Sequence, residues 1–102
     1  MELLTEELKR QLPPLDAIRH ADDPIVHVVF YMPLMDWTWY LMEFDGRGQF
    51  YGLEEGDQVK WGMFSLWELQ QLRGPFGVEI QRDLDFTPTP LSEIPPRYEY
   101  DE

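Results

Sequence analysis

The chain contains no cysteine, so disulfide bonds, thiolate nucleophiles and zinc–thiolate sites are excluded. Basic residues are scarce as well: 8 Lys and Arg stand against 20 Asp and Glu, which gives a net charge of −12. Phosphate backbones and anionic membrane surfaces repel such a chain. We therefore expect no direct binding to nucleic acid or to membranes, and an attraction to basic proteins or cations. The simpler interpretation is that the charge serves solubility alone.

Long apolar runs are also missing. No stretch approaches the roughly 18 consecutive apolar residues that a membrane-spanning helix needs. The first residues, MELLTEELKRQL, are acidic and lack the basic and apolar regions of a secretion signal. Together with the absence of cysteine, this pattern favours a cytoplasmic protein.

The length suits one hydrophobic core and is too short for two. The chain has 102 residues, of which 43% are hydrophobic and 15% aromatic, so global disorder is not expected. We expect a single domain over residues 1–94. The remaining residues, 95–102, read as an acidic and flexible tail.

Helix and strand signals follow one another along the chain. Thr5 and an acidic first turn, followed by leucines at four-residue spacing, predict a helix over residues 3–12. Four segments rich in β-branched and aromatic residues predict strands, and the turns between the later ones are short enough to require antiparallel pairing. The predicted strands are residues 25–32, 37–44, 49–53 and 58–64, with turns at 45–48 and 54–57. Short edge strands are expected at 78–80 and 84–86, and Gly62 suggests a bulge or a close approach of backbone.

The best-marked element is a helix over residues 66–73. Ser65 and Glu68 have the spacing of a capping box, in which each side chain accepts a hydrogen bond from a free N–H of the first turn. Gly74 predicts a left-handed cap, Pro75 cannot continue the helix, and Arg73 is placed to bond the last carbonyls. Packed on the strands, this helix completes an α+β fold, a small antiparallel meander of about four to five strands with a helix at each end.

At FSLWELQQLRGPFGVEIQRDLDF the chain resembles a bacterial domain-of-unknown-function family, number 2958. The shared pattern also includes LTEEL near the N-terminus, W-x-W-Y followed by EFDG, F-x-GL, and a closing P-x-PLSE. These elements are residues 4–8, 37–46, 50–53, 62–86 and 88–93. The chain departs from the family at Trp67, where Ser is usual, and in its longer acidic tail. The resemblance implies coding on plasmids, integrative elements or phages, and it implies no activity.

Residues that could perform catalysis are few and scattered. His20 with Asp22 and Asp23 is one cluster, but all three lie in one loop, and a solvated loop is the preferred interpretation. His27 lies among apolar strand residues and is expected to be a partly buried core residue.

A second cluster follows the capped helix. Asp83 and Asp85 would share one face of an extended segment and could bind a cation. We favour instead a structural ion pair of these carboxylates with Arg82 or Arg73. No nucleophile motif and no phosphate-binding loop is present. The sequence therefore predicts a protein that is not an enzyme and that needs no cofactor or metal.

Aromatic residues are the remaining signal. One helix layer covers one face of a sheet, so aromatic side chains on the other face would form a protein interface unless the rest of the chain covers them. The candidates for this interface are Trp37, Trp39, Tyr40, Tyr51, Trp61 and Trp67.

Three hypotheses follow, in order of preference. The first is a non-catalytic module that binds a protein partner, or a second copy of itself as a homodimer, through the sheet. The second is a nucleic-acid mimic that inhibits a basic DNA-binding or defence protein of the host, because carboxylates two apart on a strand approximate the spacing of phosphates. Its candidate acidic face is Glu54, Glu55, Asp57, Glu79, Asp83 and Asp85. The third is a small metal-dependent enzyme that uses Asp83, Asp85 and His20 or His27.

Overall fold

The computed structural model describes residues 2–94; the predicted tail, 95–102, lies outside the described residues. The class is α+β, as predicted. The elements in chain order are α1 (Glu6–Gln11), β1 (Ile25–Val26), β2 (Val28–Met32), β3 (Trp37–Phe44), β4 (Gln49–Glu55), β5 (Val59–Ser65), α2 (Leu66–Gln71), β6 (Gln81–Arg82) and β7 (Thr89–Pro90), with short 3-10 turns at Pro75–Gly77 and Leu91–Glu93. Five strands form an antiparallel sheet in the order β5-β4-β3-β2-β6, and β1 pairs with β7 in a separate two-stranded sheet.

The first helix is shorter than the predicted range of 3–12. Thr5 caps it as predicted, and its hydroxyl accepts a hydrogen bond from the Leu8 N–H at 3.2 Å. Leu12 is already extended, because the residue before a proline avoids the helical region and Pro13 follows it. Leu3 and Leu4 precede the helix in non-helical backbone, yet both are buried in the core.

The segment 25–32 is two strands rather than the one predicted. Ile25 and Val26 turn away to pair with Pro90 and Thr89, whereas Val28–Met32 lies inside the main sheet between β3 and β6. The break falls at His27, whose backbone N–H still donates to the Leu41 carbonyl at 2.9 Å. The pairing of β3 with β4 has a bulge between Leu41 and Glu43, next to the Leu41 to which His27 bonds.

The edge beyond β2 also differs from expectation. The predicted strands at 78–80 and 84–86 are wrong, because the residues that pair with β2 are Gln81 and Arg82. The guanidinium of Arg82 donates from Nη1 to the carbonyls of Glu2 and Leu3, each at 2.6 Å. This contact joins the N-terminal segment to β6.

The turn after β3 lies at residues 45–48, as predicted, and the structure shows that one carboxylate holds it. Asp45 Oδ1 accepts hydrogen bonds from the backbone N–H groups of Arg47, Gly48 and Gln49 at 2.7, 2.9 and 3.0 Å. Gly46 supplies the positive φ of 84° that the turn requires. These three bonds hold the pKa of Asp45 below its usual range. The next turn begins later than predicted, because β4 continues through Glu54 and Glu55.

Helix α2 has the predicted start and a different end. The Ser65 hydroxyl accepts a hydrogen bond from the Glu68 N–H at 3.2 Å, which is one half of the predicted capping box; the Glu68 carboxylate does not accept the Ser65 N–H in return. Arg73 Nη1 donates to the carbonyls of Gln70 and Leu72, as predicted. Gly74 has φ −95°, so the predicted left-handed cap is wrong. A side chain at Gly74 would nevertheless press on the Met32 sulfur, which is a packing reason for glycine there.

Each face of the sheet is covered over part of its area, by different parts of the chain. On the helix face, Phe30, Leu41 and Phe50 pack beneath the N-terminal leucines and the buried Leu66 and Leu69 of α2. On the loop face, the cluster that includes Val29, Tyr40 and Met42 is covered by irregular segments. The covering residues are Ile18, Phe86, Leu91 and Ile94. Within residues 2–94, no α-helix lies over the core on the loop face.

Close approach of backbone occurs at Gly52, not at Gly62. These two glycines are register partners on β4 and β5. A Cβ added at Gly52 would overlap the carbonyl oxygen of Tyr40, whereas a Cβ at Gly62 would meet nothing within 4 Å. The bulge that Gly62 suggested is instead in β3, between Leu41 and Glu43.

The two glycines give a matched stability test. We expect Gly52→Ala to lower the free energy of unfolding by about 3 kcal/mol, because the strands must separate to relieve the overlap. Gly62→Ala is expected to change it by less than about 1 kcal/mol, with a gain from the lower entropy of the unfolded chain. Urea denaturation of both variants measures the difference. Equal stabilities would contradict the close approach at Gly52.

Candidate functional site

Strand β5 carries an uncovered apolar row. Val59, Trp61 and Met63 alternate along the loop face and are 58%, 48% and 46% exposed. The Tyr51 ring of β4 stacks against Trp61 with ring centroids 6.0 Å apart. The loop segments that cover β2 and β3 stop short of this end of the sheet. A row of half-exposed apolar side chains on an edge strand is a common feature of protein-binding surfaces.

A groove of about 620 Å³ runs between this row and the loop of residues 15–24. Apolar and acidic side chains share its lining. The apolar ones are Leu15, Ile18, Ala21, Pro24, Tyr51, Trp61, Met63 and Leu91, and the charged ones are Asp16, Asp22, Glu43 and Arg19. Asp16 and Asp22 are exposed, which places negative charge at the solvent side of an apolar surface.

The wall of the groove is anchored by a buried carboxylate. Glu43 is buried in β3, just after the bulge, and its two carboxylate oxygens accept the backbone N–H groups of Asp16 at 3.0 Å and Ile18 at 2.8 Å. Asp16 has a positive φ of 73°, a rare conformation that these bonds help to hold. Bonds to a charged acceptor are stronger than neutral ones. The loop is therefore fixed to the sheet by polar contacts as well as by Ile18.

The predicted interface aromatics do not lie together. Trp39 and Tyr40 are buried, so their placement on a surface was wrong: Trp39 packs in the helix-face core and Tyr40 in the loop-face core. Trp37 is half-buried on the helix face. Trp67 is exposed on α2 and does not line the groove. Of the six candidates, the groove brings together Tyr51 and Trp61.

The six predicted acidic residues do not form one face either. Glu54 lies on the helix face, where it accepts the indole N–H groups of Trp37 and Trp39, each at 3.1 Å. Glu55 points to the opposite face and accepts the Tyr40 hydroxyl at 2.8 Å. The remaining four lie elsewhere: Asp57 is in the β4–β5 turn, Glu79 pairs with Arg73 at 3.5 Å, and Asp83 Oδ1 accepts the Asp85 N–H.

In the two predicted clusters, the aspartates hold loop backbone: Asp23 bonds to Ser92, and Asp83 bonds to Asp85. Asp23 accepts the hydroxyl and the backbone N–H of Ser92 at 2.6 and 2.9 Å, and these bonds hold its pKa below the usual range. Burial lowers the pKa of His27, in keeping with its predicted place beside the core. Among residues 2–94, no group of three or more His, Asp or Glu side chains is arranged to hold a metal ion. No helix in this part of the chain has the length and apolar composition to cross a membrane.

Sequence reasoning missed Glu43 and the loop that it anchors. The available signal was a single carboxylate inside the apolar segment WTWYLMEF, since a buried charge requires partners. Val59 and Met63 were missed as well, although they alternate with Trp61 at the spacing of two that puts strand residues on one face.

Glu43 is expected to control the loop wall of the groove. Glu43→Gln should lower the free energy of unfolding by about 1.5–3 kcal/mol. In the wild type, each carboxylate oxygen accepts one backbone N–H, whereas in the variant the amide NH₂ group would face one of these N–H groups, donor against donor. Glu55→Gln is the matched control, since the Tyr40 hydroxyl can still donate to the amide oxygen and no donor is left facing a donor. Urea denaturation and hydrogen exchange at the Asp16 and Ile18 amides measure the effect. Unchanged exchange at both amides would contradict the anchoring role.

The comparisons with known proteins give a family and no relative of known activity. The family model DUF2958, described as a protein of unknown function, matches residues 3–94. No match was found among curated proteins. None was found among solved structures. The match covers the whole arrangement of strands, loops and groove, and the chain therefore belongs to the DUF2958 family.

Proposed function

We propose that this protein is a non-catalytic interaction module that binds an extended segment of a protein partner along β5 and in the adjoining groove. The observation that carries the proposal is the half-exposed row of Val59, Trp61 and Met63 on an edge strand. Burial of such a row in a complex removes apolar surface from water, which is the main favourable term in protein association.

The edge of β5 is suited to strand addition. Within the described residues it pairs with β4 on one side, and its other side is the end of the sheet. Natural edge strands are usually protected by prolines, bulges or several charges. Strand β5 runs for seven residues, VKWGMFS, with Lys60 as its single charge. An extended peptide can therefore continue the sheet and place alternate side chains in the groove.

Charge indicates the chemistry of the partner. Asp16 and Asp22 lie at the groove, and the chain as a whole has a net charge of −12. On an added strand, only every second side chain faces the groove. A segment with both apolar and basic residues at those positions would place the apolar ones against Trp61 and Met63 and the basic ones near these carboxylates. Long-range attraction would also raise its association rate.

The family resemblance suggests where the protein acts and what kind of DNA encodes it. We propose that the protein acts in the cytoplasm and is encoded on mobile DNA, so that the partner is a protein of the element or of its host. The alternative is a nucleic-acid mimic that binds a basic DNA-binding protein. We rank it second, because Glu54 and Glu55 lie on opposite faces and bond to buried aromatic residues rather than forming a row of free charges.

The experiment is selection from a library of random extended peptides, followed by titration of the selected peptide. We expect enrichment of apolar and basic residues at the alternate positions that face the groove, and a fluorescence change at Trp61. Trp61→Ala should weaken the affinity by about tenfold or more, and Asp22→Lys should weaken it most at low salt. Trp67→Ala, which removes an exposed tryptophan outside the groove, is the control. Equal affinities of Trp61→Ala and Trp67→Ala would rule out the groove as the binding site.

A further inference from the structure

A second apolar surface lies on the opposite side of the sheet from the groove. It is formed where the β2–β3 loop meets the segment after α2, and its exposed members are Leu34, Met35, Leu72 and Phe76, at 69%, 43%, 44% and 98%. Met35 and Leu72 line one pocket, and Gly74 packs on the Met32 sulfur, so the two segments are adjacent. We call these four residues the end patch.

Phe76 is held out into solvent by a rigid turn. Gly74 N–H donates to the Val78 carbonyl at 2.8 Å, and Gly77 N–H donates to the Gly74 carbonyl at 3.0 Å. Phe76 itself has a positive φ of 59°, a left-handed conformation that is unfavourable for a residue with a side chain. Leu34 shares this property, with φ 69°. Two large apolar side chains are thus displayed on strained backbone, a feature that occurs at functional sites.

The end patch borders a pocket of the right size for a phenyl ring, and two patch residues, Met35 and Leu72, are part of its lining. Its volume is about 220 Å³, and its apolar lining is Met32, Met35, Trp37, Trp39 and Leu72. An apolar cavity of about 150 Å³ accepts benzene. Methionine sulfur makes favourable contacts with aromatic rings. The polar groups at the pocket are already engaged, since Glu54 accepts two indole N–H groups and Arg73 donates to helix carbonyls.

We propose that the end patch binds a second copy of this chain. Phe76 of each copy enters the 220 Å³ pocket of the other, which is lined by methionine and tryptophan side chains. The same surface holds both a projecting phenyl group and a cavity for it, which is the requirement for a two-fold, self-complementary contact. If a fully exposed aromatic side chain presents ~200 Å² and the smaller Leu and Met side chains about three quarters of that, the patch buries roughly 400–500 Å² on each copy. The total of roughly 800–1,000 Å² is that of a weak, reversible dimer.

This dimer is independent of the proposed peptide site. Trp37 and Trp39 lie on the helix face, whereas Trp61 and Met63 lie on the loop face, so dimerisation leaves the groove open. The two associations also respond to salt in opposite directions. Two copies of charge −12 repel each other, so salt should tighten the dimer. Salt should weaken the binding of a basic segment.

Sedimentation equilibrium of the full chain over a range of concentrations tests the proposal. We expect a monomer–dimer equilibrium whose dissociation constant falls as salt rises. Phe76→Gly should raise that constant by about 30-fold or more, as loss of a central aromatic anchor does. The same change should raise the midpoint of urea denaturation of the monomer, because glycine adopts the positive φ freely. Trp67→Ala, which removes an exposed aromatic outside the patch, is the control and should leave dimerisation unchanged.

A second readout uses the pocket tryptophans. In a Trp61→Phe, Trp67→Phe background, the remaining fluorescence comes from Trp37 and Trp39 and should shift on dilution, and Phe76→Gly should abolish the shift. A wild-type protein that is monomeric at all concentrations would overturn the proposal, as would a dimer that Phe76→Gly leaves intact. A monomer that instead binds a phenylalanine-bearing peptide at the end patch would overturn the second copy as the occupant. Peptide binding at the groove should be the same in Phe76→Gly as in the wild type.

Discussion

The structure depends on covering both apolar faces of one sheet, and the described residues, 2–94, provide two α-helices of six residues each for this. The two helices and the N-terminal leucines cover one face. The other face is covered by irregular backbone, whose N–H groups need acceptors once they are packed against a core. Glu43 supplies acceptors from within the sheet, and Asp23 supplies them to the segment at Ser92. This cover stops before β5, and for that reason the row at Trp61 is left half exposed.

Features set by neighbouring residues could be predicted from the sequence. The Ser65 cap, the Asp45 turn and the limits of Trp37–Phe44 each depend on residues within a few positions, and each was predicted as it is found. Features set by distant residues could not. The division at His27 depends on pairing with 89–90, and β6 is joined to the N-terminal segment by a contact of Arg82. The local pattern at 78–80 and 84–86 carries no trace of that contact.

An aromatic surface on the sheet was predicted, but only Tyr51 and Trp61 of the six predicted residues line the groove. Alternation along β3 assigns Trp39 and Tyr40 to opposite faces, but it does not tell whether the rest of the chain covers those faces. The structure shows further that the two sets of candidates bond to each other: Glu54 accepts from Trp37 and Trp39, and Glu55 accepts from Tyr40. The aromatic and the acidic candidates were expected to contact other proteins, and several of them instead form hydrogen bonds with one another. The uncovered part of the aromatic set is Tyr51 and Trp61 near the sheet edge and Trp67 on α2.

The two proposed surfaces have a combined consequence. Strand addition over seven residues, with a few side chains in an open groove, is a modest contact, and part of its energy is spent in ordering the peptide. A dimer formed on the opposite face would carry two such grooves on one body. A partner with two suitable segments, or itself dimeric, would then bind the second groove at an effective concentration in the millimolar range. The negative charge of the chain opposes formation of the dimer and favours capture of a basic partner. Binding of that partner neutralises part of the charge on each copy, so it should also strengthen the contact between the copies.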